Sequence, residues 1–396
     1  MKRKMTISQA TRDYIRNHQN DDVRELALKG CRNPDVDFPF ALQQIQGRQK
    51  AKDKLPQLYA NPDILFPPTV SMEQCSSEAT ARYKASLVGG GTFADLSGGF
   101  GVDTMALAKV FDQGYYVEPS AELCALFGHN AQALDIRNVQ IRQGCMEEIL
   151  PTLPDTDLLY LDPSRRDGHG QRVVALTDCT PSVPMLKDAL LTKARKGVLV
   201  KLSPMLDLKS ALQQLPETQE IHVLAVHGEC KEVLFLLGHD KAEDMEYHAV
   251  NIQSDNVLDF HFSSREETEA KPVLADSVGK YLLEPNAAVM KAGAFKCVAT
   301  RYGLHKLHAH SHLYTCDEQV PDFPGRVFTV EKVVPFSKKE IKRQLADMDK
   351  ANVAVRNFPW NAEELRKQLR LGDGGDVYLF GTTLRDGGKV LVVTRK

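Results

Sequence analysis

The fold is decided by one stretch, Phe93-Ala94-Asp95-Leu96-Ser97-Gly98-Gly99-Phe100-Gly101-Val102-Asp103. An apolar strand ends in the acid Asp95, turns through Gly98, Gly99 and Gly101, and opens a helix. Glycines let a backbone turn sharply and approach a ligand without a Cβ in the way. The stretch therefore predicts a ligand-binding loop that follows the first strand of an α/β sheet.

The acids around this loop indicate which ligand it holds. A dinucleotide fingerprint needs a third glycine, and Thr104 stands at that position. An acid just before the turn suits a ligand with a positive ammonium and sulfonium, so Asp95 is predicted to pair with S-adenosylmethionine. Glu118 closes the next strand, 23 residues after Asp95, where a carboxylate can accept both ribose hydroxyls. Other nucleotide-binding sheets have a ribose carboxylate at the same place. Glu118 therefore agrees with the prediction but does not distinguish S-adenosylmethionine from a dinucleotide.

The segments after the loop alternate between strand and helix periods, which predicts a doubly wound α/β sheet. The first five predicted strands are TFADL, YYVE, NVQIRQG, DLLYLDP and GVLVKLSP. IHVLAVHG and EVLFLLGH then form a closing hairpin. Seven strands ending in such a hairpin are typical of class I methyltransferases rather than of dehydrogenases.

Four regions are predicted along the chain. Residues 1–85 are helical, with a capping box at Ser71-Met-Glu-Gln74 that predicts a helix running towards Leu87. Residues 86–240 form the sheet domain, and residues 241–330 an α/β linking region. Residues 331–396 read as a β-α-β-α-β-β module with 14 Lys/Arg against 9 Asp/Glu, while the rest of the chain has 36 against 43. A basic module on an acidic body indicates a polyanionic partner.

Several protein classes are excluded by the composition. The N-terminus lacks the apolar segment of a secretory signal, and no apolar run reaches membrane-spanning length. The eight cysteines include no Cys-x-x-Cys pair, which argues against a disulfide framework or zinc ribbon and favours a cytoplasmic protein. Four histidines at alternate or near-alternate positions could share one strand face, but no cysteine or carboxylate spacing accompanies them, so no metal is expected: His305, His308, His310 and His312.

The predicted catalytic residues follow the fourth strand. In open α/β sheets ligands bind outside the carboxyl ends of the strands, so Asp162 and Pro163 are expected to face the methyl donor and orient the acceptor. Arg165 and Arg166 come next, and a planar guanidinium can stack on a base or clamp a phosphate. The alternative is that these arginines pair with a nearby acid such as Asp167.

The segment after the fifth strand bears on the reaction type. It ends Lys201-Leu202-Ser203-Pro204, with serine where a C5 mechanism on uracil needs a nucleophilic cysteine. Direct methyl transfer, to nitrogen in preference to oxygen, is therefore favoured over a covalent intermediate.

The motifs DLSGGFG, VEPS and LDPSRR, in this order, resemble motifs I, II and IV of class I S-adenosylmethionine-dependent methyltransferases. The segment EQCSSEATARYKA, together with the basic tail, is similar to a bacterial methyltransferase family with a C-terminal THUMP-like domain. The resemblance implies a Rossmann-like seven-stranded sheet, an N-terminal helical region and a C-terminal α+β THUMP-like module. It also implies S-adenosylmethionine as the cofactor.

Two positions depart from the common motifs of that family. Ser97 stands where a glycine is usual, and Gly144-Cys145-Met146 replaces the acid that normally binds adenine. Adenine contacts are therefore expected from the backbone of Cys145 and Met146.

The function expected from the sequence is methyl transfer to a base nitrogen of structured RNA, either tRNA or rRNA. In this view the tail residues Lys338, Lys339, Lys342 and Arg343 contact RNA phosphates. Two alternatives stay open: a small-molecule or protein methyltransferase whose tail dimerises, and a non-catalytic RNA-binding protein that retains the fold.

Overall fold

The computed structural model describes residues 7–164, 176–254 and 256–396. The chain forms two compact units. The first contains residues 1–219 and 234–241, and the second contains residues 220–233 and 242–396. Within the described ranges, no helix has both the length and the apolar character needed to cross a membrane.

The N-terminal region is helical. Most of its helices begin at a polar side chain that accepts a backbone N–H, for example Ser8, Asp22, Asp37 and Ser77. Its helices are α1 (Gln9–His18), α2 (Val23–Lys29), α3 (Phe38–Lys54), α4 (Pro56–Ala60), α5 (Thr69–Gln74) and α6 (Glu78–Leu87).

The prediction of one helix from Ser71 to Leu87 is wrong. Helix α5 ends at Gln74, and α6 starts after Ser77, whose side chain accepts from the Thr80 backbone N–H at 3.2 Å. The break occurs because Ser77 caps a new helix while the neighbouring Ser76 hydroxyl bonds to Asp103.

The first sheet has nine strands in the order β3-β2-β1-β4-β5-β7-β6-β8-β9. They are β1 (Gly90–Asp95), β2 (Phe111–Glu118), β3 (Val139–Gln143), β4 (Thr156–Leu161), β5 (Ala194–Leu202), β6 (Thr218–Val226), β7 (Glu229–Leu237), β8 (Glu246–Gln253) and β9 (Asn256–Ser263). Strands β1, β2, β3, β4 and β5 pair in parallel. The apolar centres of β1, β2, β4 and β5 are buried as expected for strands covered on both faces, whereas the edge strand β3 has no buried residue.

The predicted fold class is confirmed, with two additions at the sheet edge. His227 and Gly228 both have positive φ in the two-residue turn between β6 and β7, as in a hairpin of type I′. Strand β8 then runs parallel to β6, and β9 runs antiparallel to β8, so the seven expected strands become nine. The helices that follow the early strands are α7 (Val102–Leu107), α8 (Ala121–Ala133), α9 (Met146–Ile149), α10 (Val183–Lys193) and α11 (Leu208–Gln214).

The second sheet has eight strands in the order β10-β12-β13-β11-β14-β17-β16-β15. They are β10 (Val273–Leu274), β11 (Tyr281–Pro285), β12 (His305–Lys306), β13 (Tyr314–Cys316), β14 (Gly325–Pro335), β15 (Asn352–Arg356), β16 (Val377–Thr383) and β17 (Lys389–Arg395). The helices are α12 (Ser264–Glu269), α13 (Ala287–Ala292), α14 (Cys297–Arg301), α15 (Lys338–Gln344) and α16 (Ala362–Leu369). The run β14-α15-β15-α16-β16-β17 has the predicted β-α-β-α-β-β order, and its core includes Val334, Leu365 and Leu391.

Candidate functional site

The residues predicted to hold the cofactor lie at one edge of the first sheet. Asp95 ends β1 and Glu118 ends β2, while Asp162 directly follows β4. In the parallel register Asp95 lies beside Tyr116 and Tyr160, and Glu118 lies beside Gln143. The carboxyl ends of four adjacent strands therefore meet where open α/β sheets bind ligands.

Glu118 is tied to the glycine loop. Its Oε2 accepts the backbone N–H of Gly99 and its Oε1 accepts that of Ser120, both at 2.9 Å. The Tyr116 hydroxyl donates to the Gly99 carbonyl at 2.6 Å. These bonds fix the loop against the end of β2, with the Glu118 residue 8% exposed.

The loop needs glycine because aromatic rings pack directly beneath it. A Cβ on Gly98 would lie 2.4 Å from the Tyr116 ring, and a Cβ on Gly101 would lie 2.3 Å from the Phe127 ring. These two rings stack with centroids 4.1 Å apart and an interplanar angle of 4°. Gly99 and Gly101 also have φ of 54° and 85°, a region that favours glycine.

Asp95 is turned into the protein. Its Oδ2 accepts from the Thr104 hydroxyl at 2.5 Å, and its Oδ1 accepts from the Ser97 backbone N–H at 3.0 Å. Burial raises the pKa of Asp95 to about 7, despite these hydrogen bonds, which lower it. Asp95 is only 1% exposed, and its direct pairing with a ligand cation stays a prediction. In the structure Asp95 organises the start of the loop, and Thr104 stands where the third glycine of a dinucleotide motif would be.

Ser97 connects the loop to the end of β4. The Asp162 backbone N–H donates to the Ser97 hydroxyl at 2.7 Å, and that hydroxyl lies 3.3 Å from Asp95 Oδ1. A glycine at this position would lack the connection. The departure from the common motif therefore has a structural role.

The Asp162 carboxylate has a partner that sequence reasoning missed. The Lys201 ammonium, at the end of β5, forms an ion pair with Asp162 Oδ2. The Lys201 side chain is 11% exposed and the Asp162 side chain 36% exposed, so the pair lies at the margin of the buried region. The pairing could have been predicted from Lys201-Leu202-Ser203-Pro204. Since β4 and β5 are adjacent parallel strands, a lysine at the end of β5 lies near an aspartate at the end of β4.

Beyond Asp162 the chain passes Pro163, and the Ser164 backbone pairs with Thr180 through hydrogen bonds of 2.8 and 2.9 Å. The predicted RNA-contacting Arg165 and Arg166 lie outside the described residues.

A second missed feature is a buried network beneath the loop. Lys84 from α6 is 1% exposed and forms an ion pair with Asp103 Oδ1 at 2.9 Å. The hydroxyls of Ser76 and Tyr160 donate to Asp103 Oδ2 at 2.7 and 2.8 Å. Although burial alone would raise the pKa of Asp103, the charges of Lys84 and Lys201 lower it below its usual value. The N-terminal segment Ser76–Lys84 thus supports the first turn of α7.

The residues predicted to contact adenine follow the third strand. The Gly144 N–H donates to the Glu118 carbonyl at 3.1 Å, which places Gly144-Cys145-Met146 next to Glu118. Cys145 precedes α9 and is exposed, whereas Met146 is buried at 4% exposure. Their contact with adenine stays a prediction.

The predicted RNA-contacting cations lie on one short helix of the second unit. Lys338, Lys339, Lys342 and Arg343 are all exposed on α15. Arg343 pairs with Glu340 one turn earlier. For the three lysines the structure gives no ion pair with any described carboxylate.

His308 and His312, two of the histidines in residues 305–312, have local contacts. The His308 Nδ1 accepts from the His310 backbone N–H at 3.0 Å, and His312 stacks on Phe295 with centroids 3.6 Å apart. Burial lowers the pKa of His312 to about 4, with nearby Lys306 contributing.

A glycine loop after the first strand of a doubly wound sheet, with carboxylates at the ends of β1, β2 and β4, defines the methyltransferase class. A THUMP domain-like family model matches residues 325–396, and a ferredoxin-like domain model matches residues 281–324. The THUMP domain-like match begins with β14, slightly before the predicted boundary at residue 331.

Two relatives extend the comparison to the whole chain. An uncharacterized S-adenosylmethionine-dependent methyltransferase of Mycobacterium tuberculosis is 23% identical over 338 residues, which is 84% of this chain and 89% of the relative. The crystal structure of a candidate methyltransferase from Porphyromonas gingivalis W83 is 37% identical, covers 98% of this chain and 97% of its own, and has a TM-score of 0.88. The chain belongs to this family of S-adenosylmethionine-dependent methyltransferases with a C-terminal THUMP-like domain.

Proposed function

We propose that the chain transfers the methyl group of S-adenosylmethionine to a base nitrogen of structured RNA, either tRNA or rRNA. The observation that carries the methyltransferase part is the meeting of Asp95, Glu118 and Asp162 at adjacent strand ends around the loop Gly98–Gly101. The RNA part rests on the THUMP domain-like match and on the exposed lysines of α15.

The residues present fit the cofactor. Each Glu118 carboxylate oxygen accepts a single described backbone N–H, and a carboxylate oxygen can accept further bonds, which suits two ribose hydroxyls. The loop backbone at Gly99 carries no Cβ, and an added one would meet nothing closer than 3.6 Å, so a ligand can approach it. Gly144-Cys145-Met146 lies beside Glu118 and is assigned to adenine. When bound, S-adenosylmethionine supplies the electrophilic methyl group.

The role proposed for Asp162 follows from its ion pair. The Lys201 ammonium occupies Oδ2, and a carboxylate accepts hydrogen bonds at its other oxygen. We assign Oδ1 to accept an N–H of the acceptor base, which orients the nitrogen lone pair along the line of attack. Ser97 holds the Asp162 backbone, so donor loop and acceptor carboxylate are fixed relative to each other.

The test uses the full chain, methyl-labelled S-adenosylmethionine and total RNA from cells that lack the protein. Label is expected in an RNA nucleoside whose methyl group lies on nitrogen, identified by mass spectrometry after digestion. Asp162→Asn should lower the transfer rate by about 100-fold, within the range for a positioned acid–base group, while cofactor affinity is retained. Asp188→Asn, an exposed change on α10, serves as the matched control.

The outcomes separate the two parts of the proposal. Absence of cofactor binding by calorimetry would reject the methyltransferase assignment for this chain. Cofactor binding with label on metabolites or protein alone would reject RNA as the substrate.

For the tail, replacing Lys338, Lys339 and Lys342 by Gln should weaken RNA binding and reduce its salt slope by about 3, one per lost phosphate contact. Lys367→Gln, at a cation already paired with Glu363, is the control.

A further inference from the structure

Three histidines form a ladder across adjacent strands of the second unit. His222 on β6 lies in register with His248 on β8, which in turn lies in register with His261 on β9. The rings of His222 and His248 stack with centroids 4.5 Å apart and planes 13° apart. The rings of His248 and His261 are 6.0 Å apart. Side chains in register on neighbouring strands share one sheet face, so the ladder presents several imidazole nitrogens together.

A carboxylate joins the buried end of this ladder. Glu220 lies two residues before His222 and therefore on the same face, with its Oε2 3.0 Å from His222 Nε2. The His222 side chain is 1% exposed. One potential ligand atom from each of Glu220, His222 and His248 lies within 4.8 Å of the other two. Two imidazole nitrogens and a carboxylate oxygen from two adjacent strands thus lie close together, and the near-parallel rings must tilt for both nitrogens to face one ion.

A further carboxylate orients the outer histidine. The Asp259 Oδ2 lies 2.7 Å from His248 Nδ1. A hydrogen bond there places the proton on Nδ1 and leaves the Nε2 lone pair for a ligand. Histidines that bind metals usually donate their second ring N–H to a carboxylate in this way, which fixes the ring and raises its basicity.

We propose that Glu220, His222 and His248 bind a divalent transition-metal ion of the zinc class, with Asp259 orienting His248. Two histidines and one glutamate form a known ligand set for zinc, with the remaining coordination position open to solvent. Tetrahedral zinc with bonds of about 2.0–2.2 Å needs ligand atoms about 3.3 Å apart. The cluster, with separations up to 4.8 Å, needs side-chain rotations that contract it by about 1.5 Å. The bound ion would cross-link β6 and β8.

This site was not predicted from the sequence, which led to the expectation of no metal. His222 and His248 lie 26 residues apart, and their meeting depends on the parallel pairing of β6 with β8. The spacing of the histidines in residues 305–312 was the sequence feature that resembled a metal site. In the structure, however, the Nδ1 of His308 accepts the backbone N–H of His310. The metal site does not depend on the proposed methyltransferase function.

The test adds Zn²⁺ alone to the untagged, EDTA-treated full chain and measures binding by competition with a chromophoric chelator. Wild type should bind one equivalent that Glu220→Gln and His248→Gln both lose. Asp259→Asn should weaken binding by about 10–100-fold, as expected for a partner of a ligating histidine. Co²⁺ in place of Zn²⁺ should give the visible absorption of a low-coordinate site in wild type and not in His248→Gln.

Two histidine variants serve as controls. His261→Gln, at the far end of the ladder, and His308→Gln, in the separate histidine segment, should retain the equivalent of Zn²⁺. Circular dichroism checks that each variant folds. If His248→Gln does not fold, Glu220→Gln alone still tests the site. If wild type fails to bind Zn²⁺, the ladder is a hydrogen-bonded stack without a metal. The same conclusion follows if Glu220→Gln and His248→Gln bind Zn²⁺ as tightly as wild type.

Discussion

Alanine substitutions in the glycine loop allow backbone strain and steric clash to be measured separately. At Gly99 the φ of 54° is unfavourable for alanine, but an added Cβ would meet nothing closer than 3.6 Å. At Gly98 the φ is not positive, but the Cβ would lie 2.4 Å from the Tyr116 ring. Gly101 combines both problems, with a φ of 85° and a Cβ 2.3 Å from the Phe127 ring.

The expected losses follow from these two costs. A left-handed conformation costs a residue with a Cβ about 1–2 kcal/mol, which is the whole expected effect of Gly99→Ala. Overpacking a filled core costs about 1–3 kcal/mol, which is the expected effect of Gly98→Ala. Gly101→Ala should lose about 2–5 kcal/mol, the sum of the two. Adding Phe127→Leu to Gly101→Ala should recover part of the steric cost, because residues in contact do not act additively.

The free energy of unfolding is measured by urea titration followed by far-UV circular dichroism. Fluorescence is unsuitable, because the single tryptophan, Trp360, lies in the second unit. Calorimetry with S-adenosylmethionine on the folded variants reports whether the loop still binds. If Gly101→Ala is no less stable than Gly99→Ala, the packing of Phe127 imposes no constraint on the loop, contrary to this prediction.

Three further predictions concern the carboxylates of the site. Because burial raises the pKa of Asp95 from 3.8 to about 7, the folded protein holds this proton more tightly than the unfolded chain, and stability should decline as pH rises from about 4 through 7. Asp95→Asn should remove that decline, as measured by urea titrations at several pH values. If the free energy of unfolding of wild type and of Asp95→Asn changes with pH in the same way, the prediction is wrong. Lys84→Met should cost about 3–5 kcal/mol of unfolding free energy, because it leaves a buried carboxylate unpaired, and adding Asp103→Leu should restore much of it. The idea fails if the double variant is as unstable as the single one. Glu118→Ala should weaken S-adenosylmethionine binding at least about tenfold by calorimetry, equivalent to about 1.4 kcal/mol, whereas the exposed Glu122→Ala should not.

The parts of the fold that depend on local patterns were predictable from the sequence. The alternation of strand and helix periods, the glycine loop and the acids at strand ends each reside in a few consecutive residues. Because parallel strands bring their carboxyl ends to one edge, placing Asp95, Glu118 and Asp162 together required only the order of the elements. The tail module was predictable for the same reason.

The parts that depend on pairing between distant segments were not predictable. Lys84 precedes the sheet and meets Asp103 only once α6 packs against α7. The direction of the Asp95 side chain depends on the Thr104 hydroxyl, which spacing alone does not reveal. The break between α5 and α6 has the same origin. The capping box at Ser71 predicted one continuous helix, but the helix is interrupted where Ser76 bonds to the distant Asp103.

The origin of Lys84 also limits how the protein can be divided. A fragment cut at the start of the sheet domain, near residue 86, would contain every loop glycine and strand-end acid yet discard the amine that neutralises Asp103. Such a fragment would uncover the part of α7 that α6 packs against and leave Asp103 without its direct ion-pair partner. Domain swaps between relatives should therefore exchange the segment Ser76–Lys84 together with the sheet, because Ser76 and Lys84 both bind Asp103.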